Sequence, residues 1–282
     1  MVRPGLATRA RVRPALAATW TAAGAAALVW GGVMSARLWR VRALMRAAKP
    51  FSQRPPQSNE RVVIAGDSTA VGAGSSHPRL SIAGRIGMAL SKAEVMNVAR
   101  SGARLAHVRH QLEGLEPARP VSLVIVLCGG EDVIRGASRR RVRSAIDGIV
   151  ARVRELGGRL ILVPPGIVGR APIWLPPLSS YYTWRARRVN RAIFDAARQH
   201  ADVEVIDLAP ARSANRLQRN HERDYASDGL HPSDVGYGAW FERIVQQSAR
   251  LQARLAGPFK LRAVKSPRMV KWSPHILRAA VS

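Results

Sequence analysis

Hydrophobic and polar residues alternate along this chain in two different regimes. From Arg61 to about Leu255, short apolar runs take turns with longer stretches of helical period. The runs at 62–65, 95–99, 123–127, 160–163 and 203–208 are mostly β-branched residues or Leu. Short, nearly continuous runs of this kind suit strands buried on both faces of a parallel sheet. Between them, helical periodicity covers 80–90, 105–115, 139–156 and 184–200, and a last helix is predicted from Ser233 to about Leu255. Five β-α units predict an α/β domain at 61–256, a three-layer, doubly wound, five-stranded parallel sheet. A site in such a domain is expected outside the carboxyl ends of the strands.

The first fifty residues follow another pattern. Residues 14–36 contain no charge and are rich in Ala, with Trp20, Leu28, Val29, Trp30, Val33 and Met34 among them. As a helix of about 1.5 Å rise per residue, the stretch is long enough for a hydrocarbon core of about 30 Å. Arg3, Arg9, Arg11 and Arg13 precede it, and Arg37, Arg40, Arg42, Arg46 and Lys49 follow. The expectation is a basic-flanked hydrophobic helix at 1–47 acting as a membrane anchor, with the domain on the periplasmic or extracytoplasmic side. A cleaved signal that yields a secreted chain is one alternative, and an amphipathic or packed soluble helix is another. Arginines on both flanks orient the helix poorly. Residues 48–60, with Pro50, Pro55 and Pro56, read as a linker, and 257–282 as a basic tail.

Composition narrows the classes. With 47% hydrophobic and 22% charged residues among 282, global disorder is excluded. The single cysteine, Cys128, excludes an internal disulfide framework and a cysteine-based zinc cluster. It reads as a core residue at the end of a strand. The formal net charge of +27 is carried by 45 Lys and Arg against 18 acidic residues. A nucleic-acid partner is the first thought, but the arginines are scattered and accompany no zinc-finger, KH or RNP signature. Attraction to anionic membrane or polysaccharide surfaces fits better. His107, His110 and Glu113 share a helical face, which reads as solvated rather than as a metal site.

The chemistry sits at strand ends. The first predicted strand runs into Ala65-Gly66-Asp67-Ser68-Thr69. A hydroxyl directly after a buried parallel strand meets converging backbone N–H groups, which suits a nucleophile. A phosphate-cradling loop or a plain turn would look similar, although no Gly-Lys-Ser/Thr follows. After the last strand comes Asp228-Gly229-Leu230-His231-Pro232. Asp and His at this spacing can place a carboxylate on imidazole Nδ1 and leave Nε2 free to take a proton from serine, or can simply close the loop with a hydrogen bond. In a parallel sheet both loops open at one edge.

With these two blocks the sequence resembles the SGNH hydrolases, also called GDSL-type esterases and lipases. Gly66-Asp67-Ser68 is similar to the nucleophile block, Gly102 to the glycine of the second block, and Asp228-x-x-His231 to the last block. The third block, ordinarily Gly-x-Asn-Asp, stands here as Gly129-Gly130-Glu131-Asp132. The resemblance implies a flavodoxin-like sheet and ester hydrolysis through an acyl-serine, with Ser68, His231 and Asp228 catalytic and no cofactor or metal. It also implies an oxyanion hole from the N–H groups of Ser68 and Gly102 and the third-block side chain, here Glu131. An ionised Glu131 donates nothing. Either it turns toward an arginine such as Arg104 or Arg135, or burial keeps it a neutral donor. The expected substrate is a small ester or an acylated carbohydrate or lipid. Acyl transfer, carbohydrate O-deacetylation and a low-activity binding or scaffold role are the rivals. The apolar segment 164–184 is expected to form a lid or acyl pocket, or else ordinary packing.

Overall fold

The computed structural model describes residues 9–58, 60–208 and 221–256. The basic tail at 257–282 lies outside the described residues. Strands β1 (Arg61–Gly66), β2 (Glu94–Asn97), β3 (Leu123–Leu127), β4 (Arg159–Val163) and β5 (Val203–Val205) form one sheet, ordered β2-β1-β3-β4-β5, with every pairing parallel. The order reverses between β1 and β3, so a crevice opens beyond the end of β1. Helices in chain order are α1 (Arg9–Ala47), α2 (Ser68–Val71), α3 (Ile82–Ala89), α4 (Leu105–Glu113), α5 (Gly130–Arg135), α6 (Arg139–Glu155), α7 (Leu178–Ala197), α8 (His221–Asp224), α9 (Asp234–Gln247) and α10 (Ala249–Leu255).

Strand alternation sorts the core into two layers. Val63, Ala65, Val124, Val126, Leu160 and Leu162 pack under α4, α6 and α7. Val62, Ile64, Leu123, Ile125, Ile161 and Val163 pack under α3, α9 and α10. Helix α6 shows why the pattern was readable. Val142, Ile146, Ile149, Val150 and Val153 return to one face, and the Ser138 hydroxyl caps the N-terminus by accepting from Arg141 N–H. Truncating a fully buried central side chain such as Ile64 to Ala costs about 2–5 kcal/mol.

Several boundaries differ from the sequence expectation, and strand β2 stops at Asn97. Helix α7 starts at Leu178 rather than near Trp184, so part of the 164–184 segment is helical. Strand β5 stops at Val205. The last helix breaks at Ser248, whose backbone is extended. Its hydroxyl accepts from Leu251 N–H and donates to Glu204 at 2.5 Å, so a side-chain cap restarts the helix. The 48–60 stretch is stitched to the domain, because Gln53 Nε2 donates to the carbonyls of Gly87, Leu90 and Ala93.

The membrane-crossing span expected at 14–36 is not supported. No helix among the described residues is long and apolar enough to cross a membrane. From Thr19 onward the stretch is diluted by Thr, Gly and the small, weakly apolar Ala, and residues 14–18 lie outside the described side chains. The C-terminal half of α1 lies against the domain instead, with Met34 and Val41 buried beside Ala171, Ile173 and Trp174.

Candidate active site

The nucleophile turn is fixed from every side. β1 ends at Gly66, where φ is +137° and an added Cβ would fall 1.9 Å from the Leu127 carbonyl oxygen, so only glycine fits. Gln111 clamps this residue, accepting from its N–H and donating to its carbonyl, both at 2.8 Å. Asp67 caps α2 by accepting from the N–H and hydroxyl of Thr69, at 2.9 and 2.7 Å, which leaves Ser68 as the first helical residue. Burial pushes the Asp67 carboxyl up, against the lowering effect of those donors. Further along the turn, Asn97 Nδ2 donates to the Ala70 carbonyl and Tyr237 OH to that of Ala73. None of Gln111, Asn97 or Tyr237 announced itself in the sequence. Each is a polar residue inside an element, and its partner is a backbone group far along the chain.

The loop carrying His231 comes up against this turn. Gly74, with φ +91°, makes the approach possible, because a Cβ there would sit 2.5 Å from the Pro232 carbonyl and 2.9 Å from His231 Cβ. Asp228 Oδ1 accepts from the N–H groups of Leu230 and His231 at 2.9 and 3.0 Å, and its Oδ2 lies 2.5 Å from His231 Nδ1. His231 Nε2 lies 2.8 Å from Ser68 Oγ. An ionised carboxylate only accepts, so Nδ1 carries the proton and Nε2 is left to accept from the serine hydroxyl. Burial alone would raise the Asp228 carboxyl. The hydrogen bond and charge of His231, together with the Leu230 and His231 amides, hold it below the ordinary carboxylate range instead.

The third block follows β3. Gly129, at φ +128°, leads into α5, and a Cβ there would meet the Pro165 ring at 2.8 Å. Glu131 Oε2 pairs with Arg135 Nε at 2.8 Å, one helical turn away on α5. Asp132 Oδ2 accepts from Leu105 N–H at 2.9 Å and so caps α4. Its carboxyl is pushed up to about 6, chiefly by burial and further by the charges of Asp67 and Glu131. Gly102, at φ +79°, lies in the loop between β2 and α4 at the same sheet edge. Cys128 is buried and its thiol is driven well above the ordinary range, so it stands as a core side chain. His110 pairs with Glu113 at 2.8 Å on the exposed face of α4. Among the described residues no cluster of three or more His, Cys, Asp or Glu is placed to hold a metal.

Serine, histidine and aspartate meet at the carboxyl edge of a doubly wound parallel sheet. The chain belongs to the GDSL-like lipase/acylhydrolase family, whose sequence model matches residues 64–239, and this match shows an ester hydrolase. Solved structures agree on the fold. The structure of TesA aligns at 18% identity and a TM-score of 0.54, over 68% of this chain and 99% of that one. A lipolytic protein of the G-D-S-L family from Veillonella parvula DSM 2008 aligns at 16% and 0.54, over 68% and 100%. A catalytic mutant of Axe2, an acetylxylan esterase from Geobacillus stearothermophilus, aligns at 17% and 0.52, over 67% and 94%. No curated protein matches the chain in sequence. The family match begins three residues into β1, so α1 is an addition to the shared domain.

Proposed function

We propose that this ester hydrolase works through an acyl-serine intermediate, with Ser68 as nucleophile, His231 as general base and then acid, and Asp228 as the group that orients and charge-matches the imidazole. The observation that carries the reading is the unbroken line from Asp228 Oδ2 through both ring nitrogens of His231 to Ser68 Oγ, at 2.5 and 2.8 Å. His231 takes the hydroxyl proton as Ser68 Oγ attacks the ester carbonyl. The same proton passes to the departing alkoxide, and the acyl-enzyme forms. Water then attacks the acyl carbonyl with His231 again as base, the bond to Ser68 Oγ breaks, the carboxylic acid leaves and Ser68 Oγ takes the proton back from His231. The oxyanion is held by the N–H groups of Ser68 and Gly102. Glu131 supplies no third donor, since its carboxylate is engaged with Arg135.

Reaction of Ser68 with a fluorophosphonate, followed by turnover of p-nitrophenyl esters of increasing acyl length, tests this reading. Labelling on Ser68 that abolishes turnover is the expected result. Turnover that survives complete Ser68 labelling would refute it.

Membrane-surface association through α1 belongs to the same proposal. Trp20, Leu28 and Val29 are exposed on α1, and Arg40, Arg42 and Arg46 follow them. Binding to anionic vesicles that partly resists high salt is expected. Full release by salt alone would mean a purely electrostatic attachment.

A further inference from the structure

The C-terminal half of α1 bridges two loops at the carboxyl edge of the sheet, the segment after β4 and the loop after β2. It begins at the segment after β4. Trp30 Nε1 donates to the Pro176 carbonyl at 3.3 Å, and Arg37 Nη1 donates to those of Pro172 and Ile173, both at 2.9 Å. That segment is tied in turn to the histidine loop, since Ile173 N–H donates to the Gly229 carbonyl at 3.0 Å. α1 ends on the far side of the sheet edge, at the loop after β2. There Ser101 Oγ donates to the Met45 carbonyl at 3.3 Å, and Met45 Cε lies 3.9 Å from where a Cβ on Gly102 would stand. Its last turn also borders the nucleophile loop. Leu44, Ala47 and Ala48 share a cavity of about 250 Å3 with Gly72 and Gly74.

The spacing of the docked residues explains the arrangement. Trp30, Met34, Arg37, Val41 and Met45 recur every three or four residues and so define one stripe of the helix. Met34 and Val41 are buried and Met45 is half-buried, while Trp39, between them in sequence, is 68% exposed on another face. The stripe meets apolar side chains from three other parts of the site rim: Ile134 of α5, Ile173 and Trp174 after β4, and Leu230 beside His231.

We infer that α1 supplies the wall against which the acyl chain of the substrate lies, with Met45 and Val41 as specificity-determining residues for an ester of an apolar carboxylic acid. The inference rests on the acyl-serine reading above. Around the reacting carbonyl carbon, one direction belongs to Ser68 Oγ, a second to the oxyanion at the N–H donors, and a third to the leaving oxygen, which must face His231 Nε2 to be protonated. The remaining substituent, the acyl chain, points away from His231. The apolar group nearest the Gly102 donor is Met45, whose Cε lies 3.9 Å from where a Cβ on Gly102 would stand, and Val41 and Ile134 belong to the same apolar cluster. A methionine is a flexible apolar filler, so this position sets how much chain fits. α1 lies outside the family match, and this wall is therefore a feature of this chain rather than of the shared domain.

The test is kcat/KM of the full chain on p-nitrophenyl esters from acetate to decanoate, with thermal melts to confirm folding. Met45→Trp should lower the octanoate-to-acetate ratio about tenfold or more, and Met45→Ala should move the optimum toward longer chains. Trp39→Ala, on the outer face, should leave the profile in place. If the wild type turns over esters through Ser68 but both Met45 variants keep its chain-length profile, this inference falls and the hydrolase reading stands. If the wild type neither labels at Ser68 nor turns over any ester, the hydrolase reading falls and takes this inference with it.

Discussion

Asp228 and Asp132 are buried carboxylates at the same edge of the same sheet, 4% and 5% exposed, yet their acidities move in opposite directions. Asp228 collects two backbone N–H donors and an imidazole N–H, which outweigh its burial and keep it ionised. Asp132 has the Leu105 N–H as its hydrogen-bond donor and two carboxylates as neighbours, and burial wins, carrying it to about 6. The difference teaches that burial does not assign a role to a carboxylate. The donors around it do. One aspartate is arranged to hold a negative charge beside a histidine, and the other is a helix cap that tolerates protonation.

The largest expected effects test the Asp228 side of this comparison. Ser68→Ala and His231→Ala should each reduce kcat for ester hydrolysis by about a thousandfold or more, because the three groups act as a unit. Combining the two should cost little beyond either alone, and additive losses would show that they work separately. Asp228→Asn should follow with a loss of about a hundredfold to ten-thousandfold. An amide can donate to Nδ1, which turns the proton onto Nε2 and blocks it as a base. A near-wild-type rate in this variant would mean that Asp228 serves only to close its loop.

Glu131→Asn should act in the other direction, and more weakly. Placing an amide where the family has one adds an oxyanion donor and releases Arg135, so kcat should rise a few-fold, bounded by the roughly hundredfold worth of a fully formed donor. A tenfold loss instead would mean that Glu131 itself donates as a neutral acid. The smallest effect on activity belongs to Asp132→Asn, which retains an acceptor for Leu105 N–H. Its signature is in stability. The folded state raises this carboxyl from 3.8 to about 6, so the folded protein binds the proton more tightly than the unfolded chain. The resulting stability is present below the unfolded value and is lost as pH rises through about 6. Relative to wild type, Asp132→Asn should therefore gain on the order of 2 kcal/mol between pH 4 and pH 7 in urea melts. A constant difference across that range would remove Asp132 from the titrating groups.

Much of this architecture was written in the pattern of residues. Strands buried on both faces are continuous apolar runs, and β1, β3 and β4 fell within a residue of their predicted ends. β5 did not, because Val203-Glu204-Val205 is a half-buried edge whose Glu204 turns to meet Ser248 and Arg250. That Ser68, Asp228 and His231 meet was legible because each sits in a short motif at a strand end or in a tight loop. The groups that hold them were not. Gln111 reaches Gly66 across 45 positions and Tyr237 reaches Ala73 across 164, distances that no local pattern encodes. α1 misled for another reason: the stretch at 14–36 lacks charge but is too weakly apolar to cross a membrane, and the residues that dock the helix, Met34, Val41 and Met45, lie at its end and beyond it.

The central claim is that Ser68 carries the acyl group between two half-reactions. Rapid quenching of the full chain with p-nitrophenyl acetate, followed by peptide mass spectrometry, tests it most directly. The account predicts a transient acetyl group on Ser68 that appears with a burst of p-nitrophenol and decays at the steady-state rate. Turnover with no acetyl on Ser68, or with the label on another residue at the turnover rate, would contradict it.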